Sequence, residues 1–137
     1  MQNLFKVVIV TGGFDPLHSG HIEYLKAAKE LGDVLIVGLN SDAWLERKKG
    51  RSFMPIGERL KIINNLKNVM CAIEFDDSDG SAKDAIKKVH AMFPNSEIIF
   101  ANGGVGGTGT IPRTDAEMIS ILNNLFPKKY VSSKWFK

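Results

Sequence analysis

Two histidines three residues apart, His18 and His21, sit in a segment whose composition suits phosphate chemistry: Gly12-Gly13-Phe14-Asp15-Pro16-Leu17-His18-Ser19-Gly20-His21. Glycines let the backbone approach an anion closely, and the unpaired N–H groups at the start of a helix supply partial positive charge. Imidazoles at such a place can hydrogen-bond α-phosphate oxygens and, if protonated, stabilise the charge that gathers in a transition state. Each histidine also has a plainer use, His18 as a helix cap and His21 as a packing residue. Their convergence with glycines behind a buried first strand favours the chemical use.

A second stretch, Gly104-Val105-Gly106-Gly107-Thr108-Gly109, matches the dinucleotide pattern G-x-G-x-x-G letter for letter. That pattern belongs to a first strand and helix and needs an acid about 20 residues on to hold a ribose. Here Lys128-Lys129-Tyr130 stands in that place, so the stretch reads as a loop beside a nucleotide pocket. The P-loop pattern G-x-x-x-x-G-K-[ST] does not occur, which argues against an ordinary kinase or ATPase. Asp76-Asp77-Ser78-Asp79-Gly80 lacks the alternating ligands and closing Glu of a calcium loop and reads as a solvated turn.

The elements that must hold these residues alternate along the chain. Lys6 to Val10 is a run of β-branched residues, read as a strand buried on both faces. A helix follows from His21 to Leu31, stopped by Gly32, then a strand from Val34 to Leu39. Ser41 or Asp42 caps a short helix through about Arg47, and Pro55 opens another with Ile56, Leu60, Ile63 and Leu66 on one face. A strand from Val69 to Phe75, a helix from about Ser81 to Met92 and a strand from Glu97 to Ala101 come next. After the glycine-rich loop the pattern predicts a helix from about Thr114 to Leu125 and a last short strand at Tyr130-Val131, with Ser132 and Ser133 just beyond it. The alternation predicts an α/β fold: a Rossmann-like, doubly wound parallel sheet of about five strands in three layers, with ligands at the carboxyl ends of the strands.

A chain of 137 residues with 44% hydrophobic and 24% charged residues fits a single domain, 1–137. It contains no apolar run near the roughly 20 residues of a membrane helix, and its start lacks a signal-peptide pattern, so the expectation is a cytoplasmic protein with no membrane partner. A net charge of +3 suits phosphorylated ligands but is too small and scattered for a nucleic-acid footprint. Cys71 is the one cysteine, which excludes an internal disulfide or a cysteine zinc cluster, and its apolar surroundings make it an inert thiol.

The segment Gly13 to His21 closely resembles the signature of the cytidylyltransferase-like nucleotidyltransferases, whose hallmark is His-x-Gly-His. The likeness runs on through Leu31-Gly32-Asp33, Gly38-Leu39-Asn40-Ser41-Asp42 and Lys48-Lys49-Gly50-Arg51 to Gly57-Glu58-Arg59, covering the first half densely. It is similar in particular to the glycerol-3-phosphate cytidylyltransferases and to the adenylyltransferase domain of ADP-heptose synthesis. The resemblance implies in-line attack by an acceptor phosphate on the α-phosphate of ATP or CTP, with pyrophosphate released. It gives His18, His21, Lys48 and Arg59 catalytic contacts to phosphate, with Gly12, Gly13, Phe14 and Gly20 lining the nucleotide site and Asp15 orienting it. It places Asn102, Gly103, Ser132 and Ser133 at the nucleotide and Asp42 and Trp44 at the acceptor. Magnesium accompanies the triphosphate, with no dedicated metal ligands in the protein, and the enzyme is expected to be a homodimer.

After the fourth strand, where that family carries Gly-Gly-Asp or Gly-Asp-Asp, this chain has Asn102-Gly103-Gly104-Val105. The missing acid motivates an alternative function, a nucleotide-binding module of the same fold without turnover. An oxidoreductase built on Gly104 to Gly109 is the third reading, and the misplaced fingerprint speaks against it.

Overall fold

The structure, a computed structural model, describes residues 5–101 and the backbone of residues 130–133. Nine elements follow in order: β1 (Lys6–Gly12), α1 (Ser19–Lys29), β2 (Val34–Leu39), α2 (Asp42–Lys49), α3 (Ile56–Asn64), β3 (Cys71–Glu74), α4 (Lys83–Met92), β4 (Glu97–Ala101) and β5 (Tyr130–Ser133). The strands form one sheet in the order β3-β2-β1-β4-β5. Every pairing is parallel, with Val7 opposite Val34, Lys6 opposite Glu97, Ile36 opposite Cys71 and Ile98 opposite Tyr130.

The Val7-Val8-Ile9-Val10 run makes β1 central because all four side chains can be buried, two on each face. Val7 and Ile9 join Ile36, Ile98 and Phe100 beneath Ala85, Ile86 and Val89 of α4. Val8 and Val10, on the opposite face, join Leu35 and Val37 beneath Leu25 and Ala28 of α1 and Ile63 of α3. This period-two division produces the three layers expected from the sequence. The strand order reverses between β1 and β4, which opens a crevice above their carboxyl ends.

Several element limits differ from the sequence reading. The first helix starts at Ser19, so His21 lies inside it, and it ends before Gly32. Gly32 has a packing role: a Cβ there would stand 2.8 Å from Val8 Cγ2 and 2.9 Å from the Lys6 carbonyl oxygen. Strand β3 keeps only Cys71–Glu74 of the expected Val69–Phe75 run. Helix α2 continues two residues past Arg47, to Lys49, before Gly50 closes it in the left-handed conformation at φ 92°. The last strand takes in Ser132 and Ser133, which pair with Phe100 and Ala101. The expected helix from Thr114 to Leu125 lies outside the described residues.

Candidate active site

The crevice begins where β1 runs into α1. His18 is the N-cap of α1, its Nδ1 accepting the Gly20 N–H at 3.0 Å. The His18 N–H in turn donates to Nδ1 of His21 at 3.1 Å, completing a reciprocal capping box made of two imidazoles. A backbone N–H can only donate, so both Nδ1 atoms act as lone-pair acceptors. In the neutral rings the proton therefore resides on Nε2, which leaves one N–H donor on each. The rings stack with centroids 3.9 Å apart at 28°. Gly20 permits this, because a Cβ there would lie 2.9 Å from Cε1 of His18.

Phe14 backs the pair. Its buried ring meets His21 edge-on at 5.0 Å, and its backbone holds φ 50°, a left-handed conformation that costs a residue with a Cβ some strain. Burial first, and the neighbouring His18 second, pull the His21 imidazole down to about 4 from its ordinary 6.5. His21 is thus neutral near pH 7. It serves as an N–H donor, where the sequence alone left open a protonated cation.

Asp15 orients the next layer. Its carboxylate accepts the N–H groups of Phe53 at 2.5 Å and Met54 at 2.6 Å and pairs with Lys49 Nζ at 3.2 Å. Burial alone would raise this carboxyl, but these donors together hold it below its usual range. Lys49 Nζ also donates to the Asp15 carbonyl at 2.5 Å. The end of α2 and the loop behind it are thereby tied to the loop after β1.

Arg59 binds the frame together from inside. Its guanidinium is 0% exposed, with Nε donating to the Met54 carbonyl at 2.9 Å and Nη1 to the carbonyls of Gly13 at 3.1 Å and Asn40 at 2.8 Å. Nη2 pairs with Asp42 Oδ1 at 2.6 Å. A buried charge is tolerated because its donors are matched this way. The expected phosphate contact by Arg59 is therefore corrected: the fork is committed to three carbonyls and a carboxylate, and it positions the loops without facing the crevice. Asp42, expected at the acceptor, spends one oxygen on Arg59 and the other on the Ile56 N–H at 3.3 Å.

The turn after β3 is likewise more than solvated. Asp77 is buried and accepts from Asn40 Nδ2 at 3.0 Å, Ser41 N at 2.8 Å and Ser41 Oγ at 2.8 Å, while Ser41 Oγ caps α2 through the Trp44 N–H at 3.0 Å. Lys48, expected to reach the phosphates, lies instead over the Trp44 ring at 4.8 Å.

Of the residues singled out from sequence, Gly12, Gly13, Phe14, Asp15, His18, Gly20 and His21 share the one loop and helix start. Asn102 and Gly103 lie outside the described residues, and Ser132 and Ser133 are placed by their backbone alone, at the end of β5 beside β4. Lys49, Asn40 and Asp77 were missed. For Lys49 the available signal was position: once α2 extends past Arg47, residues 48 and 49 fall on different helix faces. For Cys71, burial pushes the thiol up, in keeping with an unreactive side chain.

A parallel sheet reversing at a crevice, with two N–H-bearing imidazoles at a helix N-terminus, defines an α/β protein of the nucleotide-handling class. Comparison narrows this. The family model described as cytidylyltransferase-like matches residues 9–104, and the chain belongs to that family, which makes it a nucleotidyltransferase by class. It is 39% identical over 111 residues to the bifunctional protein HldE of Citrobacter koseri, an alignment covering 72% of this chain and 23% of that protein. The chain thus spans about a quarter of the length of the HldE relatives it matches. Among solved structures it resembles the lipopolysaccharide core biosynthesis protein of Thermoplasma volcanium, with a TM-score of 0.71 and 30% identity over 97% of this chain and 99% of that one. The NadR protein in complex with NAD and AMP-PNP shares the fold at a TM-score of 0.59 and 17% identity, covering 96% of this chain and 39% of that one. Among the described residues no helix is long and apolar enough to cross a membrane.

Proposed function

We propose that this chain transfers a nucleoside monophosphate from ATP or CTP to a sugar phosphate, an acceptor phosphate oxygen attacking the α-phosphorus as pyrophosphate leaves. The observation that carries the reading is the imidazole pair, each ring held through Nδ1 by a backbone N–H so that its Nε2 is left as the donor. Phosphoryl and nucleotidyl transfer need little covalent help from a protein. Positioning and stabilisation of charge on the oxygens at the reacting phosphorus do most of the work. His18 and His21 would donate to those oxygens, and the positive end of the α1 dipole would add to the field.

Lys49 replaces Lys48 as the cation for the triphosphate, because its ammonium already stands beside Asp15 in the same loop system. The main chain of Gly12 to Phe14 would line the site. Magnesium would enter with the nucleotide and keep phosphate oxygens and water as ligands, the habit of a hard ion that dehydrates reluctantly. Both oxygens of Asp15 are engaged by N–H donors, so this carboxylate is suited to holding the loop. The sugar-phosphate acceptor rests on the relatives: one is named a lipopolysaccharide core biosynthesis protein, and the sequence resembles the adenylyltransferase domain of ADP-heptose synthesis.

The test is pyrophosphate release with magnesium, ATP and CTP being offered separately against heptose 1-phosphate and glycerol 3-phosphate. Turnover with one pair, abolished in the His18→Ala/His21→Ala variant, supports the proposal. Nucleotide binding without pyrophosphate in any pairing overturns it in favour of a binding module.

A further inference from the structure

The main chain of Gly12 and Gly13 is held from one side. The Asn40 N–H donates to the Gly12 carbonyl at 2.9 Å, just beyond Gly12 opposite Leu39, the last pair of the β1–β2 ladder. Arg59 Nη1 is shared between the carbonyls of Gly13 at 3.1 Å and Asn40 at 2.8 Å. Leu45 of α2 seats against Gly13, where a Cβ would stand 2.8 Å from Leu45 Cδ2. Each contact comes from the corner where β2 turns into α2, or shares a partner with it. A planar trans peptide points its C=O and the next N–H in opposite directions. Both peptides are trans and β1 lies between β2 and β4, so the Gly13 N–H is turned to the β4 side, where the crevice opens. The Phe14 N–H is likewise turned away from Arg59.

The corner lies past the end of the ladder, where no further pairing of β2 holds it. Asp77 supplies the hold. From the turn between β3 and α4, its Oδ2 accepts Asn40 Nδ2 at 3.0 Å and the Ser41 N–H at 2.8 Å, and its Oδ1 accepts the Ser41 hydroxyl at 2.8 Å. Asn40 thereby has its N–H on β1, its carbonyl on α3 and its side-chain amide on the β3–α4 turn. Asp77 and Asn40 are both buried, so water does not take the place of a partner lost there.

We propose that Asp77 is a positioning residue for the triphosphate: through Asn40 and the α2 cap it fixes the orientation of the Gly12–Gly13 peptide in the crevice, without itself touching substrate. A main-chain N–H stabilises a phosphate oxygen only while it is aimed at it, and this aim is set from a turn that follows Gly13 by more than sixty residues. The inference rests on the nucleotidyl-transfer reading and deepens it.

Direct binding separates the two. Titration calorimetry with magnesium and either ATP or CTP gives the nucleotide affinity without turnover. Asp77→Ala should weaken it about tenfold, the scale of one misaligned hydrogen bond to a charged oxygen. Asp77→Asn keeps an oxygen for Asn40 Nδ2 and the Ser41 N–H and should recover most of the loss. Asp84→Ala frees the Asp76 N–H of the same turn but touches neither Asn40 nor Ser41, and should leave the affinity in place. Should Asp77→Ala fail to fold by circular dichroism, Asn40→Ala removes the single link to Asp77, leaves Ser41 bonded, and carries the same expectation. Native affinity in a folded Asp77→Ala or Asn40→Ala chain, an equal loss in Asp84→Ala, or no recovery in Asp77→Asn overturns the positioning role and leaves the transfer reading standing. Asp77-dependent binding with no pyrophosphate formed supports the role while sinking the transfer reaction. A native chain that binds neither nucleotide overturns both.

Discussion

The two flanks of α2 are built by different means. On the crevice side the polar groups are fixed by main chain: His18 by the Gly20 N–H, His21 by the His18 N–H, and Asp15 by the N–H groups of Phe53 and Met54. On the outer side Arg47 and Lys48 are exposed, and among the described residues neither makes a salt bridge. A flank set by backbone keeps one geometry and suits the reacting phosphates shared by a family, because misplacing a donor by an ångström forfeits much of its effect. A flank of long flexible side chains adapts to different occupants, and it is where specificity can change without disturbing the chemistry.

The largest effect should come from breaking both flanks together. Arg59 reaches Gly13 on one side and Asp42 at the start of α2 on the other. Arg59→Met strands three carbonyls and a carboxylate, and should cost about 3–5 kcal/mol in urea unfolding. Arg59→Lys should recover little of this, since one ammonium cannot reproduce the fork. A loss below about 1 kcal/mol in the Met variant would mean that the two flanks are held independently.

The crevice can then be damaged alone. His18→Ala or His21→Ala removes one N–H donor and should lower kcat by about 10²–10³-fold, the usual scale for a lost transition-state donor. The double variant should fall short of the product of the two, because each ring holds the other through the capping box. Multiplicative losses would show that the rings act separately.

A smaller change addresses the clamp at the α2 cap. Asp77→Ala leaves Asn40 Nδ2 and the amide and hydroxyl of Ser41 without their acceptor, and should destabilise by about 1–3 kcal/mol. Because the clamp acts on the crevice side through Asn40, the nucleotide KM should rise more than the acceptor KM. Equal changes in both would erase the distinction between the flanks.

The contrast also explains what the sequence could reveal. The sheet was legible because Lys6 to Val10, Val34 to Leu39 and Glu97 to Ala101 are continuous apolar runs whose burial leaves few alternatives, and the crevice was legible because its glycines and histidines lie within ten consecutive residues. Arg59 and Asp77 were misread because their roles depend on residues far along the chain: Arg59 is 46 positions from Gly13, and Asp77 is 37 from Asn40. Charged side chains look solvated until the fold supplies the buried partners. Lys48 and Lys49 are separated by a local matter, a helix end that lies two residues beyond the expected Arg47, which a helical period converts into a change of face.

The gentlest perturbation is acid, and it separates one crevice residue from every carboxylate nearby. Folded His21 resists protonation down to about 4, whereas the unfolded chain takes up the proton near 6.5. Between those values the unfolded state binds more protons, so stability is full above about 6.5 and falls as pH drops toward 4. Asp15 and Asp79 respond with the same sign in a lower window: each is held below 3.8, Asp79 by the N–H and then the hydroxyl of Ser81, and the stability it contributes is present above that value and lost only on further acidification. Urea midpoints measured from pH 7 to 4.5 should therefore decline in the native chain and stay flatter in His21→Gln, with Asp79→Asn following the native slope. A native slope unchanged by His21→Gln would place the titrating group elsewhere and remove the neutral N–H donor from the crevice.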